Sequence, residues 1–69
     1  MGQANEIYSL TNGEYIYFNM SEGGGAACYR CNDMYLLFEV PLYGGDERYE
    51  GTFFENQIVD LIEKARSWT

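Results

Sequence analysis

Thr52-Phe53-Phe54-Glu55-Asn56-Gln57-Ile58-Val59-Asp60-Leu61-Ile62-Glu63-Lys64-Ala65-Arg66-Ser67-Trp68 is the stretch that decides how this chain folds. Phe54, Ile58, Leu61, Ile62 and Ala65 recur at three- and four-residue intervals, which gathers them into the buried stripe of an amphipathic helix. Thr52 and Glu55 have the spacing of a capping box, with the hydroxyl on the Glu55 amide and the carboxylate turned back to the Thr52 amide. Asp60 and Lys64 make an i,i+4 pair in the favourable order. Lys64 and Arg66 stand in the last turn, where the helix dipole favours cations. The pattern predicts one helix over residues 52–68. One helix covers one face of a small sheet and leaves the other face open.

Upstream of the helix the periodicity changes from 3.6 to 2. Residues 34–40 alternate as a strand, and Asn32-Asp33 offers a turn back to a strand over residues 27–31. That turn sets Tyr29 opposite Leu36, Ala27 opposite Phe38 and Arg30 opposite Tyr35. Pro41 lacks an amide donor and marks the end of this strand or an exposed edge. Residues 42–51 lead to the helix through a turn at Gly44-Gly45-Asp46, with Arg48-Tyr49-Glu50 as a short edge strand. Farther upstream, Asn12-Gly13 is the preferred pair for a type I′ turn, and it predicts a hairpin of residues 7–11 and 14–18. Gly23-Gly24-Gly25 reads as a flexible break between the hairpins. Residues 1–5 have no apolar rhythm and are expected to fray. The chain thus reads as one α+β domain, residues 1–69. Its architecture is a four-stranded antiparallel meander of two hairpins, with one C-terminal helix on one face.

Alternation then sorts the side chains. Met34, Leu36, Phe38 and Val40, with Ala27, Tyr29 and Cys31 opposite, make the more continuous apolar set and are assigned to the helix side. On the first hairpin Ile7, Ile16, Phe18 and Met20 are the best candidates to join them, and the reverse assignment would put Tyr8 and Tyr15 in the core. The other face receives Tyr8, Leu10, Tyr15, Tyr17, Tyr35 and Leu37, with Arg30 and Glu39 between them. A sheet face turned to water normally carries polar side chains. Tyrosines and leucines there make a candidate contact surface, because tyrosine buries a large area while keeping one polar tip. Tyr8, Tyr15, Tyr17, Tyr35 and Leu37 are the candidate partner-binding residues.

The 69 residues carry a formal charge of −7, with only four Lys and Arg against eleven Asp and Glu. That balance argues against direct nucleic-acid binding, which draws its affinity from neutralised phosphates. No run approaches the ~20 apolar residues of a membrane span. No basic segment followed by an apolar one opens the chain, so a cytoplasmic location with reduced thiols is expected.

Catalytic and metal motifs are thin. Cys28-Tyr29-Arg30-Cys31 has the C-x-x-C spacing, but it falls in a strand pattern. Residues three apart in a strand point to opposite faces, about 10 Å apart at the usual rise and beyond disulfide reach. With no histidine and no third cysteine, a closed zinc site lacks ligands. The expected arrangement is a buried Cys31 and a partly exposed Cys28, with no metal and no cofactor. The glycine run is not followed by the Lys-Ser/Thr of a phosphate loop. Glu39, Asp46, Glu47, Glu50 and Glu55 lack the spacing of a calcium loop and have no catalytic partner, so no enzyme is expected.

Two functions remain as expectations. The first is a non-catalytic interaction domain that binds another protein, or itself as a homodimer, through its tyrosine face. The second uses the acidic edge at Asp46, Glu47, Glu50 and Glu55, extended by Asp33 and Glu39, to imitate nucleic-acid phosphates. In size, acidity and composition the chain resembles phage-borne inhibitors such as anti-CRISPR proteins. That resemblance is compositional and carries no residue roles.

Overall fold

The structure, a computed structural model, describes residues 3–41 and 43–68. Asn32, with a left-handed φ of 57°, and Asp33 form the two-residue turn at the centre of the sheet. It joins β2 (Gly24–Cys31) to β3 (Met34–Val40), with Cys31 opposite Met34, Arg30 opposite Tyr35, Tyr29 opposite Leu36 and Ala27 opposite Phe38. This is the register predicted from the turn, because a two-residue loop leaves the strands no room to slip. β3 ends immediately before Pro41. β1 (Tyr15–Ser21) pairs with β2, and β4 (Arg48–Phe54) pairs with β3, so the sheet is an antiparallel meander in the order β1-β2-β3-β4. A 3₁₀ turn at Glu55–Gln57 leads into α2 (Ile58–Arg66), which packs on one face. The architecture is α+β, four strands and a C-terminal helix, as the sequence predicts.

The N-terminal segment departs from the expected hairpin. Gln3–Tyr8 is a helix, α1, so the segment expected to fray contributes residues 3–5 to it, while Met1 and Gly2 lie outside the described residues. Ala4, Ile7 and Leu10 recur at a three-residue spacing that gathers them on one side, whereas a strand would send Ile7 and Leu10 to opposite faces. Ile7 and Leu10 enter the core, with Ala4 beside them. Asn12-Gly13 still turns the chain, and Thr11 O accepts the Glu14 amide at 3.0 Å. Only Gly13 has positive φ, at 90°, which makes this a type II turn from α1 into β1 and excludes the two-stranded type I′. Glu14 accepts the Thr11 N–H at 2.8 Å, and that bond holds its carboxyl below the usual range. Asn12 Oδ1 accepts the Asn32 amide at 2.8 Å, tying this turn to the central one.

β2 begins inside the glycine run, which is therefore sheet and turn instead of a flexible break. A Cβ at Gly25 would overlap Met20 Sδ and stand 2.9 Å from Met20 Cα, where the bulge between Phe18 and Ser21 presses β1 against β2. At the other end, β4 takes over residues expected in the helix. Thr52 pairs with Leu36, Phe53 with Tyr35 and Phe54 with Met34, so the Thr52–Glu55 capping box is replaced. Gln57 Oε1 accepts the Phe54 N–H at 3.1 Å and holds the entry to the 3₁₀ turn. Lys64 donates to the Glu50 carbonyl at 2.8 Å instead of pairing with Asp60. Extending β4 completes the ladder with β3, which a further helical turn would forfeit.

The core lies between the sheet and both helices. Ile58, Leu61, Ile62 and Ala65 form the buried stripe of α2, as predicted; Phe54 stays outside it. They meet Ile16 and Phe18 of β1, Ala26 and Cys28 of β2, Tyr35 and Leu37 of β3, and Phe53 of β4. The faces of β2 and β3 are therefore opposite to those assigned by alternation. Tyr35 is 1% exposed and Leu37 0%, whereas Leu36 and Phe38 stand on the open side, half-buried. The small residues explain this. Ile16, Cys28, Leu37 and Gly51 form one row across the sheet, low enough for a helix to approach, while the row Tyr15, Tyr29, Leu36, Thr52 would hold it off.

Tyr35→Ser is expected to cost about 3–5 kcal/mol, the range for deleting a buried aromatic. Leu36→Ser should cost only about 1 kcal/mol. Urea unfolding of the two variants measures the difference, and equal or reversed losses would contradict the face assignment.

Candidate functional site

Both helices pack on the same side, so the opposite side of the sheet has no covering element among the described residues. Its side chains fall into rows set by the ladder. One row runs Tyr17, Ala27, Phe38, Tyr49; the next runs Tyr15, Tyr29, Leu36, Thr52; a third is Cys31, Met34, Phe54. Tyr15 is 60% exposed, Tyr17 47%, Tyr29 37% and Tyr49 54%. A contiguous aromatic and aliphatic surface of this kind is unusual on a face in water.

The surface is not flat. Ala27 sits between Tyr17 and Phe38 in its row, and the short side chain leaves a depression. A groove of about 250 Å³ opens there, lined by Tyr15, Tyr17, Ala27, Tyr29, Phe38 and Glu47. Tyr15 and Tyr17 are both on β1, two residues apart, and pack edge to face with ring centroids 5.5 Å apart. Phe38 and Tyr49 make a second tilted pair at 5.8 Å. Glu47 lies just before β4, yet its Oε2 accepts the Tyr17 hydroxyl at 3.0 Å. This bond joins the first strand to the approach of the last. The Glu47 carboxylate beside it pushes the Tyr17 hydroxyl pKa up, so the proton stays on the phenol.

Of the residues assigned to the contact surface from sequence, Tyr15 and Tyr17 are on the open face. Tyr35 and Leu37 are in the core, and Tyr8 is on α1, where its hydroxyl points to the Glu55 carbonyl at 3.4 Å. Tyr29, Leu36, Phe38 and Tyr49 are the contributors that alternation alone placed elsewhere or left out. The signal for them is the small-residue pattern of Gly24, Ala26 and Cys28, which marks the helix side of β2 and turns Tyr29 outward. Arg30 follows the same reversal. Its Nη1 donates to the Leu10 carbonyl at 2.8 Å and its Nε to the Asn32 carbonyl at 2.7 Å, with the guanidinium 5.0 Å from the Tyr35 ring centroid.

The acidic residues separate. Glu47 turns to the groove, Asp46 is exposed beside it, Glu50 is the half-buried bulge residue of β4, and Glu55 opens the 3₁₀ turn. Glu39 meets Arg48 at 4.0 Å in a largely solvated pair of little energetic weight. Among the described residues no three His, Cys, Asp or Glu side chains are grouped to hold a metal ion.

The two thiols are free and their exposures are the reverse of those expected, because β2 presents its other face to the helix. Cys28 is buried on the core side, and Cys31 is half-buried on the open side. Burial pushes the Cys28 pKa up to about 12. In a native thiol titration Cys31 should react first and Cys28 only on unfolding; rapid reaction of both would contradict the placement. The unfolded chain releases a thiol proton near pH ~8.5, whereas the fold retains it. Stability is therefore complete below that pH and should fall as pH rises toward about 12. Compared with known proteins, the chain matches no family model, no curated protein and no solved structure.

Proposed function

We propose that this is a small, acidic, non-catalytic interaction domain that works by taking another polypeptide on the open face of its sheet. One observation carries the reading: the side of the sheet opposite both helices is apolar and aromatic, from Tyr15, Tyr17 and Tyr29 through Leu36 and Phe38 to Tyr49. Tyrosine-rich surfaces of this kind supply contact area at low entropic cost and hold polar tips for orientation. The charge of −7 favours solubility of the free chain despite that surface. Imitation of nucleic-acid phosphates fits less well, because the acidic side chains separate and Glu47 is engaged with Tyr17.

Peptides selected on the wild-type chain should lose at least about tenfold in affinity for Tyr29→Ser/Leu36→Ser, as expected for hot-spot losses of this class. The variant should lose only about 1–2 kcal/mol of stability and stay folded at the binding temperature. A concentration-dependent dimer abolished by the same substitutions would also support the face, with a second copy as the occupant. Equal peptide binding to both chains, or no selection together with a monomer at every concentration, would overturn the reading.

A further inference from the structure

The groove on the open face is built like a receptor for a cation. Its walls are aromatic, its floor is the small side chain of Ala27, and among the described residues the one charged group lining it is the Glu47 carboxylate. The face of an aromatic ring carries negative potential, and rings arranged around a carboxylate attract a cation more strongly when the site is partly dry. We infer that this groove takes an arginine side chain of the partner polypeptide, with the guanidinium stacked on the tyrosine rings and paired with Glu47. The inference rests on the interaction reading above and specifies its partner.

Arginine fits better than lysine on chemical grounds. A guanidinium is planar and weakly hydrated, so it stacks on a ring face and loses little on leaving water. Its fork of N–H donors also matches a carboxylate held in place. Glu47 is held in place: Tyr17 donates to Oε2, which leaves Oε1 for an incoming donor. The raised pKa of Tyr17 keeps its hydroxyl a donor in this arrangement. The same chemistry already operates inside the fold. Arg30 lies 5.0 Å from the Tyr35 ring centroid while donating to two backbone carbonyls. Charge also selects the occupant. A basic segment is drawn to a chain of −7, whereas a second copy would bring another −7 toward the same face.

The test is a nuclear magnetic resonance titration with the blocked tripeptide Gly-Arg-Gly, against otherwise identical peptides carrying lysine or the neutral isostere citrulline. The arginine peptide should produce saturable shifts at Tyr15, Tyr17 and Tyr29. Glu47→Gln, at an exposed position, should keep the wild-type melting temperature and bind about tenfold more weakly, the size of one lost charge-assisted contact. Equal saturation by lysine or citrulline would remove the guanidinium assignment and leave the interaction face standing. Shifts confined to residues outside the groove would also overturn it. The peptide selection on the Tyr29→Ser/Leu36→Ser chain decides the broader reading separately, since it does not depend on arginine.

Discussion

Only one side of this sheet can be covered, and the rest of the structure depends on that constraint. The chain has a single long amphipathic stripe, Ile58, Leu61, Ile62 and Ala65, and it needs a low surface to lie on. The row Ile16, Cys28, Leu37, Gly51 provides one. α1 joins on the same side with Ile7, and Leu10 follows just beyond it, closing the core around Tyr35 and Phe18. Every large side chain that could not share that seat is consequently turned the other way. The open aromatic face is thus a geometric result of how the helices are seated.

The turn chemistry explains why much of the fold was legible. Asn32-Asp33 fixes the pairing of β2 with β3 to the residue, and the spacing of apolar residues fixes the stripe of α2. Side selection was less accessible, because both alternating sets of β3 are apolar: Met34, Leu36, Phe38 and Val40 against Tyr35 and Leu37. Hydrophobicity favours the first set, and helix packing against Ala26 and Cys28 selects the second. Register and face are separate facts, and the turn determines only the first. Local signals failed where tertiary structure offered more. The Thr52–Glu55 spacing yielded to the β4 ladder, and the strand expected over residues 7–11 yielded to α1, which buries Ile7 and leads Leu10 into the core just beyond it.

The candidate site was legible to the same extent. Tyr15 and Tyr17 are outward because β1 presents Ile16 and Phe18 to the core. Tyr35 and Leu37 are inward by the same rule applied to β3. Glu47 could not be assigned to the groove from sequence, since it precedes β4 and reaches a β1 side chain only through the return of the chain. What converts a patch of tyrosines into a shaped site is the small size of Ala27 together with this carboxylate. The acidity of the chain then has a local role as well as a global one.

The claim on which all of this rests is that Leu36, Phe38 and the outward tyrosines face solvent while Tyr35 and Leu37 do not. Relaxation of side-chain protons by a soluble gadolinium chelate, measured on the dilute chain, reads that directly. Strong broadening at Tyr15, Tyr17, Leu36 and Phe38, with Tyr35, Leu37 and Cys28 protected, is the pattern the structure predicts. Protection of Leu36 and Phe38 alongside Tyr35, or broadening of Tyr35 and Leu37 in their place, would contradict it.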